Sequence, residues 1–495
     1  METGIYDDIV IGSGAGGSAA AYRLALAGRR VLLLEKGHEL PRDGSTLDIG
    51  RVVHQGEFKS KEPWFDGNGR RFVPEEYFNL GGKTKWYGAA LLRFGEHEFQ
   101  ADTGHQCLPW PIVYEDLAPY YDEVERLLGV RRFEIEPDLR GIVQGLQRRD
   151  PDWEARPLPM GLSEEILRHP DEARHFDGFA SVLNMKSDAE CSLLDRVRAL
   201  PNLTILTGHH VQTLIGAEQK PARIAAVMDQ NGRVFRARMV LLAAGALHSP
   251  RLLQRYFEAA GLARRLPGYR LIGRHLKLHL LTAMLAFSAR RQNDLLRKTT
   301  LLLSRRFPHS SVQPLGFDGE LIGTLLPGFL PRRFATALGQ RAYGFFLQTE
   351  DGSSTDNRVI AAGGRVADSH PQLDFSDTRL PAARGEHKRL VHTLQRQLFG
   401  LGYLSFVKRI GLAGTAHACG TLVAGNDPST SVVDANGRVH GLENLYVVDG
   451  SVLPRSSREN PALTIYAWAL RVAQRLTTLE HDHEDTVTQR DTIRT

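Results

Sequence analysis

The sequence predicts an α/β protein with two domains, one built on a parallel sheet and the other inserted between its parts. The chain has 495 residues, which is too many for a single hydrophobic core. Apolar residues make up 42% of the chain and charged residues 24%, a balance typical of globular proteins. Short continuous apolar runs, which indicate strands buried on both faces, recur at 9–11, 31–37, 238–246 and 444–451.

Composition argues against several classes of function. The net charge of +5 is small for this length, and no long basic block suggests a nucleic-acid partner. Cys107, Cys191 and Cys419 show no metal-ligand spacing, and three separated cysteines do not indicate a disulfide framework, so we predict no metal and a reducing compartment. The amino terminus lacks the pattern of a secretion signal, and the longest apolar runs, such as 279–287, are about half the ~20 residues that span a bilayer. We therefore expect a cytoplasmic protein without a transmembrane segment.

The first predicted unit is a strand, a glycine-rich turn, a helix and a second strand. The apolar run at 9–11 is the first strand and ends at the turn VIGSGAGG, residues 10–17. The Ala- and Leu-rich segment 18–29 is helical, with Gly28 as its C-cap candidate. The strand VLLLEKG follows at 31–37 and completes a βαβ unit.

The glycine turn has the spacing G-x-G-x-x-G at Gly12, Gly14 and Gly17. The first glycine permits the tight turn, the second lets a phosphate approach the backbone, and the third lets helix and strand pack closely. Glu35 ends the second strand, where an acid accepts a hydrogen bond from a ribose hydroxyl. This context predicts a dinucleotide site, although a glycine-rich turn also occurs in ordinary α/β proteins. The turn alone does not distinguish NAD from FAD.

The rest of the chain predicts a nucleotide domain interrupted by another domain. Residues 100–190 are rich in loops and contain one amphipathic helix near 114–129, whereas 285–415 mix alternating strands with helices. The strands at 238–246 and 444–451 return the chain to the parallel sheet. The predicted segments are 1–100, 195–284 and 417–479 for the nucleotide domain, 101–194 for a loop-rich part of the substrate domain, 285–416 for the rest of that domain, and 480–495 for a frayed tail.

The carboxyl-terminal region contains a second group of candidate residues. Asn460 and Pro461 predict an N-cap and the first turn of a long helix. The positive end of that helix could stabilise negative charge on a bound ring, such as the N1–C2=O edge of a reduced flavin. Asp449 and Gly450, at the end of a strand, suit contact with a ribityl or pyrophosphate group.

At this point the chain resembles a glucose–methanol–choline (GMC) flavin oxidoreductase. The resemblance rests on NLGGKTKWYGAALLRF (79–94), AAGALHSPRLL (243–253), GRHLKLH (273–279) and the block that runs from HACGT to NPALT (417–464), in the family's order. It implies a Rossmann-like FAD-binding domain in a two-domain architecture like that of p-hydroxybenzoate hydroxylase. The inserted substrate domain is then α+β and built on an antiparallel sheet.

The resemblance also implies a reaction, namely the oxidation of an alcohol by hydride transfer to flavin N5. His417 corresponds to the family's catalytic histidine and would take the hydroxyl proton, a role that suits an imidazole. Asn460 occupies the second active-site position and would orient the substrate oxygen. The alternatives are that His417 is a core histidine and that Asn460 is only a helix cap.

FAD is predicted to bind without a covalent link. Some family members attach the flavin through a histidine four residues after the second glycine of the pair, where this chain has Trp86. We assign no role to Cys419, and we expect His275 and His279 to be structural or solvent-facing. The residues predicted to contact FAD are Gly12, Gly14, Ala15, Gly16, Gly17, Glu35, Lys36, Gly81, Gly82, Thr84, Trp86, Tyr87, Gly88, Val211, Ala244, Gly245, Asp449, Gly450, Asn460, Pro461 and Ala462.

Four functions remain open from the sequence. The one we favour is an FAD-dependent dehydrogenase that acts on a sugar, polyol or aminoglycoside-like alcohol, with an external acceptor such as a quinone, an electron carrier or O₂. An oxidase that produces hydrogen peroxide is the near alternative. A lyase of the hydroxynitrile type, with FAD that does not turn over, and an NAD-binding scaffold protein are the more distant ones.

Overall fold

The computed structural model describes residues 4–263, 265–361 and 370–492, so the last three residues of the predicted frayed tail lie outside it. The strands in these ranges are β1 (Tyr6–Ile11), β2 (Val31–Glu35), β3 (Trp64–Asp66), β4 (Arg71–Phe72), β5 (Trp153–Pro157), β6 (Leu203–Thr207), β7 (Val211–Ala217), β8 (Lys220–Asp229), β9 (Val234–Leu242), β10 (Leu280–Phe287), β11 (Thr300–Ser304), β12 (Ser310–Pro314), β13 (Ala342–Thr349), β14 (Arg358–Ile360), β15 (Gln372–Asp374), β16 (Leu404–Arg409) and β17 (Leu445–Val447). The α-helices are α1 (Ala15–Leu26), α2 (Ala118–Leu127), α3 (Pro137–Arg149), α4 (Pro170–Arg174), α5 (Asp195–Val197), α6 (Ser249–Ala259), α7 (Gly319–Thr324), α8 (Arg332–Gly339), α9 (Pro381–Gly400) and α10 (Ala462–Thr492).

The largest sheet has the parallel order β6-β2-β1-β9, and β17 pairs with the carboxyl half of β9. The antiparallel pair β7 and β8 joins the amino half of β9. Ile11 is level with Leu34 in β2 and with Leu242 in β9, so the carboxyl ends of these strands meet at one edge. Ligands bind at such an edge in open α/β sheets, which makes it the expected location of the site.

The βαβ unit forms as predicted because small residues let the helix approach the sheet. Ala19, Ala20 and Ala21 in α1 are fully buried against it. Gly28 follows the end of the helix with φ = +80°, a conformation that glycine adopts without steric cost. The buried first turns of α10 pack beside α1, so the two ends of the chain share one core.

The second sheet is antiparallel throughout, in the order β16-β10-β13-β12-β11-β5. It agrees with the antiparallel sheet expected for the inserted part of the chain. Leu280–Phe287 pairs along its whole length with β13, so β10 crosses the predicted boundary between residues 284 and 285. We therefore propose that the inserted part begins before Leu280, and the remaining segment limits stay predictions.

Two further features differ from the sequence prediction. A small sheet, in the order β14-β15-β3-β4, joins segments about 300 residues apart, and no local pattern signals it. The helix α10 continues to Thr492, through most of the segment predicted as a frayed tail. Extension is cheap once the first turns are formed, since each added residue gains one backbone hydrogen bond. Among the described residues, every helix is too short or too polar to cross a bilayer.

Candidate active site

A cavity of about 470 Å³ opens where the carboxyl edge of the parallel sheet faces the antiparallel sheet. This volume is in the range of small-molecule sites. His417 lines it, and of the residues predicted to contact the cofactor all but Gly17 and Gly81 do so as well. Those that line it are Gly12, Gly14, Ala15, Gly16, Glu35, Lys36, Gly82, Thr84, Trp86, Tyr87, Gly88, Val211, Ala244, Gly245, Asp449, Gly450, Asn460, Pro461 and Ala462.

The three glycines of the turn lie in different surroundings. Gly12 has φ = +102°, and a Cβ there would lie 2.4 Å from the carbonyl oxygen of Ala243. A Cβ on Gly17 would lie 1.9 Å from the carbonyl oxygen of Gly12, so this glycine permits close packing of helix and strand and does not need to reach the cavity. A Cβ on Gly14 would meet no protein atom within 4 Å. The space beside Gly14 is therefore open to a ligand.

Ser13 ties the glycine turn to the second strand and to the loop that contains Gly81. The Glu35 carboxylate accepts hydrogen bonds from the Ser13 amide (3.0 Å) and hydroxyl (2.6 Å), and from the Gly37 amide (2.9 Å). The Gly81 amide donates to the Ser13 hydroxyl at 3.0 Å. Burial raises the pKa of Glu35 above its usual value. Gly81 therefore lies behind the cavity wall and supports the glycine turn through its hydrogen bond to Ser13. No role was predicted for Ser13.

Asp449 holds two turns of the cavity wall together. One carboxylate oxygen accepts from the Gly245 amide at 2.9 Å and from the Ser249 hydroxyl, and the other accepts from the Ser451 amide at 2.9 Å. Burial raises the pKa of this carboxyl. Since its oxygens are engaged within the protein, Asp449 shapes the wall that would face a ribityl or pyrophosphate group.

His417 and Asn460 lie next to each other in the cavity, with 3.4 Å between His417 Nε2 and Asn460 Nδ2. Asn460 Oδ1 accepts a hydrogen bond from Gln313 Nε2 at 2.6 Å. The prediction that Asn460 caps the helix is wrong by one residue. The carbonyl of Pro461 accepts the first helical hydrogen bond, from Ile465, and the Asn460 side chain faces the other way, toward His417.

The environment of His417 keeps its imidazole neutral. Burial holds the pKa of His417 well below its usual value, and the neighbouring His279 ring and the positive charges of Lys298 and Lys83 lower it further. A neutral imidazole has one ring nitrogen without hydrogen and can accept a proton. His417 therefore has the protonation state that a general base needs at neutral pH.

Several cavity residues were missed from the sequence. Gln313 in β12 lies level with Phe346 in β13, and both face the cavity. Lys298 and Asp177 form a buried ion pair there, with 3.0 Å between Nζ and Oδ2. No motif marks these residues, because they meet through long-range pairing of strands and loops.

His279 has the structural setting, one of the two that were expected, because it is buried and contacts His417 rather than solvent. Its Nδ1 lies 3.1 Å from His417 Nδ1. His275 is buried as well. The backbone bridge between Lys277 and Cys419 sets this pairing, and its strand register could not be inferred from either segment alone.

The residues present fit FAD. The amino terminus of α1 has no side-chain cap and no acidic residue in its first turn, so its N–H groups are available to a pyrophosphate beside Gly14. The start of α10, at Pro461 and Ala462, lines the same cavity. Trp86 stacks on Tyr77 at 4.8 Å between ring centroids, and its indole N–H donates to Asn79 Oδ1 at 2.9 Å. A tryptophan held in this way offers no nucleophile for a covalent link to a flavin.

Comparison with known proteins identifies the family. A model described as GMC oxidoreductase matches residues 365–469, and one described as FAD dependent oxidoreductase matches residues 7–305. The chain is 30% identical to paromamine 6'-oxidase from Streptomyces fradiae over 509 residues, which cover 95% of this chain and 91% of that protein. The chain belongs to the GMC oxidoreductase family. It is also 30% identical to 6'''-hydroxyparomomycin C oxidase from Streptomyces lividus, over 95% of this chain and 91% of that protein.

Solved structures show that this GMC oxidoreductase has the expected two-domain fold. Pyridoxine 4-oxidase from Mesorbium loti superposes with a TM-score of 0.71 at 20% identity, over 95% of this chain and 99% of that one. Formate oxidase from Aspergillus oryzae RIB40 superposes with a TM-score of 0.70 at 14% identity, over 98% and 100% of the two chains.

Membership in the family confirms the main predictions. The protein is an FAD-dependent oxidoreductase that acts on alcohol groups, so the prediction of FAD is confirmed. The lyase alternative is not supported, and an NAD-binding scaffold does not agree with the matched families.

Proposed function

We propose that this GMC oxidoreductase oxidises a primary or secondary alcohol of a small polar molecule, with His417 as the general base and Asn460 as the group that orients the substrate oxygen. One observation carries the proposal. His417 Nε2 and Asn460 Nδ2 lie 3.4 Å apart in the cavity that the glycine turn also lines. A substrate hydroxyl group that lies beside both side chains would meet an acceptor, His417 Nε2, and a donor, Asn460 Nδ2.

The bound cofactor would supply the redox step, because the flavin of FAD accepts a hydride from the carbon that carries the hydroxyl group. The protein would hold its diphosphate at Gly14 and the amino terminus of α1, with Glu35 toward the ribose. We propose that the cofactor is not covalently attached, since Trp86 occupies the position of the linking residue. Acid precipitation should then leave the yellow colour in the supernatant.

The two side chains would divide the work on the hydroxyl group. His417 Nε2 would accept its proton, a role that typically contributes about 10²–10⁴-fold to the rate. Asn460 Nδ2 would donate a hydrogen bond to the oxygen, and Gln313 would hold the amide in that orientation. A neutral amide does not compete for the proton, so the roles stay separate.

The cavity favours a polar substrate with several hydroxyl or amino groups. Gln313, Lys298 and Asp177 offer donors and acceptors, while Phe346 and Phe317 provide flat apolar walls. Two relatives with 30% identity are named for aminoglycosides, paromamine and 6'''-hydroxyparomomycin C. We therefore propose an amino sugar or a related polyol as the substrate class.

The electron acceptor would be external: a quinone, an electron carrier or O₂. Rates of reoxidation with air and with a soluble quinone would distinguish an oxidase from a dehydrogenase, and we keep the dehydrogenase as the prediction to test. All three cysteines are unpaired, which supports a cytoplasmic location.

The deciding experiment is an anaerobic screen of amino sugars, polyols and simple alcohols, scored by bleaching of the flavin absorbance. His417→Ala should slow bleaching by about 10²–10⁴-fold, and Asn460→Ala should weaken both binding and rate. His392→Ala, on an exposed face of α9, is the matched control and should bleach at the parental rate. If His417→Ala bleaches as fast as the parent protein, the assignment of the base is wrong.

A further inference from the structure

We propose that His279 is a positioning residue that fixes the tautomer of His417, so that Nε2 of His417 is free to receive a proton. This inference rests on the proposed role of His417 as the base. It adds a residue that does not contact the substrate and acts only through the His417 ring.

The backbone places the two histidines opposite each other. Lys277 and Cys419 exchange two backbone hydrogen bonds of 3.0 Å in an antiparallel bridge. In such a bridge, two residues forward on one segment lie level with two residues back on the other. His279 therefore lies opposite His417, with the ring planes at 84° and the ring centroids 5.0 Å apart.

The contacts of the His279 ring determine where its hydrogen lies. His279 Nε2 is 2.8 Å from the carbonyl oxygen of Ser457 and 3.2 Å from that of Ser456. Carbonyl oxygens only accept hydrogen bonds, so Nε2 carries the hydrogen. In a neutral ring the other nitrogen, Nδ1, then has a free lone pair, and that nitrogen faces His417.

The hydrogen on His417 follows from this arrangement. The two Nδ1 atoms are 3.1 Å apart, and a hydrogen bond between them needs one hydrogen, which must come from His417. His417 Nε2 is then without hydrogen and faces the cavity. Asn460 Nδ2, at 3.4 Å from Nε2, can only donate, which agrees with this tautomer.

The backbone of the contact is held in an uncommon conformation. His279 has φ = +61° and Ser457 has φ = +65°, both in the left-handed region that only about a few per cent of non-glycine residues adopt. Such conformations persist where the surrounding structure determines them, and they are concentrated at functional sites. Here they bring the Ser457 carbonyl and the His279 ring into line with His417.

The test compares two replacements that tolerate the left-handed backbone. His279→Gly removes the acceptor for the His417 Nδ1–H, and His279→Asp restores an acceptor that cannot donate. We expect His279→Gly to reduce the flavin about 10- to 100-fold more slowly at saturating alcohol, with a nearly unchanged apparent Kd. His279→Asp should recover most of the rate. Its negative charge should also raise the pKa of His417, which the nearby Lys298 and Lys83 lower. The acid limb of the pH profile should therefore move to higher pH.

A second measurement does not depend on turnover. Nitrogen-15 NMR of labelled histidine in the FAD-loaded protein, assigned with His417→Ala, should show hydrogen on Nδ1 and none on Nε2 of His417. A parental His417 with hydrogen on Nε2 would overturn the proposal, as would a parental rate in His279→Gly. If His279→Gly does not fold, the NMR spectrum of the parental protein and the rate of flavin reduction in His279→Asp still test the proposal. A parental rate in His417→Ala would instead refute the proposed function.

Discussion

Gly14 and Gly16 lie in the same turn, yet replacement by alanine should affect different properties. A Cβ on Gly14 meets no protein atom within 4 Å, and its backbone (φ = −65°, ψ = −166°) is accessible to alanine. A Cβ on Gly16 would lie 1.6 Å from the carbonyl oxygen of Val448, and a backbone oxygen cannot rotate away. Gly14→Ala should therefore affect the ligand, and Gly16→Ala should affect the fold.

The magnitudes follow from these contacts. Alanine at position 14 is a poorer N-cap than glycine, but it lowers the entropy of the unfolded chain, so the apoprotein should change by less than about 1 kcal/mol. The methyl group would occupy the space assigned to the pyrophosphate. Overpacking costs about 1–3 kcal/mol, which corresponds to a roughly 5- to 150-fold weaker Kd for FAD. Gly16→Ala should lose more than about 3 kcal/mol, because α1 must move away from the strand end.

The assay is titration of each apoprotein with FAD, followed by flavin fluorescence, together with the apoprotein melting temperature. Gly14→Ala should melt close to the parent and bind FAD weakly, whereas Gly16→Ala should melt at lower temperature or fail to accumulate. Parental affinity for FAD in Gly14→Ala would refute the reasoning, since the diphosphate could not then pass over this residue.

Three other predictions concern charge. Because burial lowers the pKa of His417, the rate of flavin reduction should rise with pH only below about 6.5 and stay flat above it, as a pH series of anaerobic bleaching would show. Burial and a neighbouring carboxylate raise the pKa of Glu459 to about 8, so its contribution to stability falls as pH rises from 4.5 through 8. Glu459→Gln should thus raise the melting temperature more at pH 9 than at pH 5. Arg455→Met leaves Glu350 buried without its main partner and should cost about 3–5 kcal/mol in chemical denaturation, whereas Arg51→Met, at an exposed ion pair with Glu57, should leave the denaturation midpoint nearly unchanged.

The parts of the fold that could be predicted are those with local causes. The glycine turn and the strand that ends at Glu35 lie within 30 residues of each other, so the spacing of residues already describes their geometry. The antiparallel sheet was predicted only as a class, because its register depends on pairs such as Gln313 and Phe346 that no short motif encodes. The predicted boundary at residue 284 consequently divided one of its strands, β10.

The candidate site divides in the same way. His417 and Asn460 lie in segments with a recognisable pattern, and the structure brings them together. Gln313 and Lys298, which line the cavity, and His279, which contacts His417, were missed because each is placed by pairing with a distant segment. One signal in the sequence could have indicated His279. If the segments 277–279 and 417–419 are extended and antiparallel, pairing of Lys277 with Cys419 places His279 opposite His417.

The position of His417 matters more for the proposed chemistry than its basicity. Burial is the main cause of its lowered pKa, because the two nearby lysines each have a carboxylate partner, Lys298 with Asp177 and Lys83 with Glu76. A weak base gives little driving force for proton removal on its own. What the protein does supply is an imidazole that is already neutral at physiological pH and that, in the proposed tautomer, has its Nε2 lone pair toward the cavity. Replacement of His279, which positions the His417 ring, should therefore affect the reaction more than replacement of Lys83, which affects the pKa of His417.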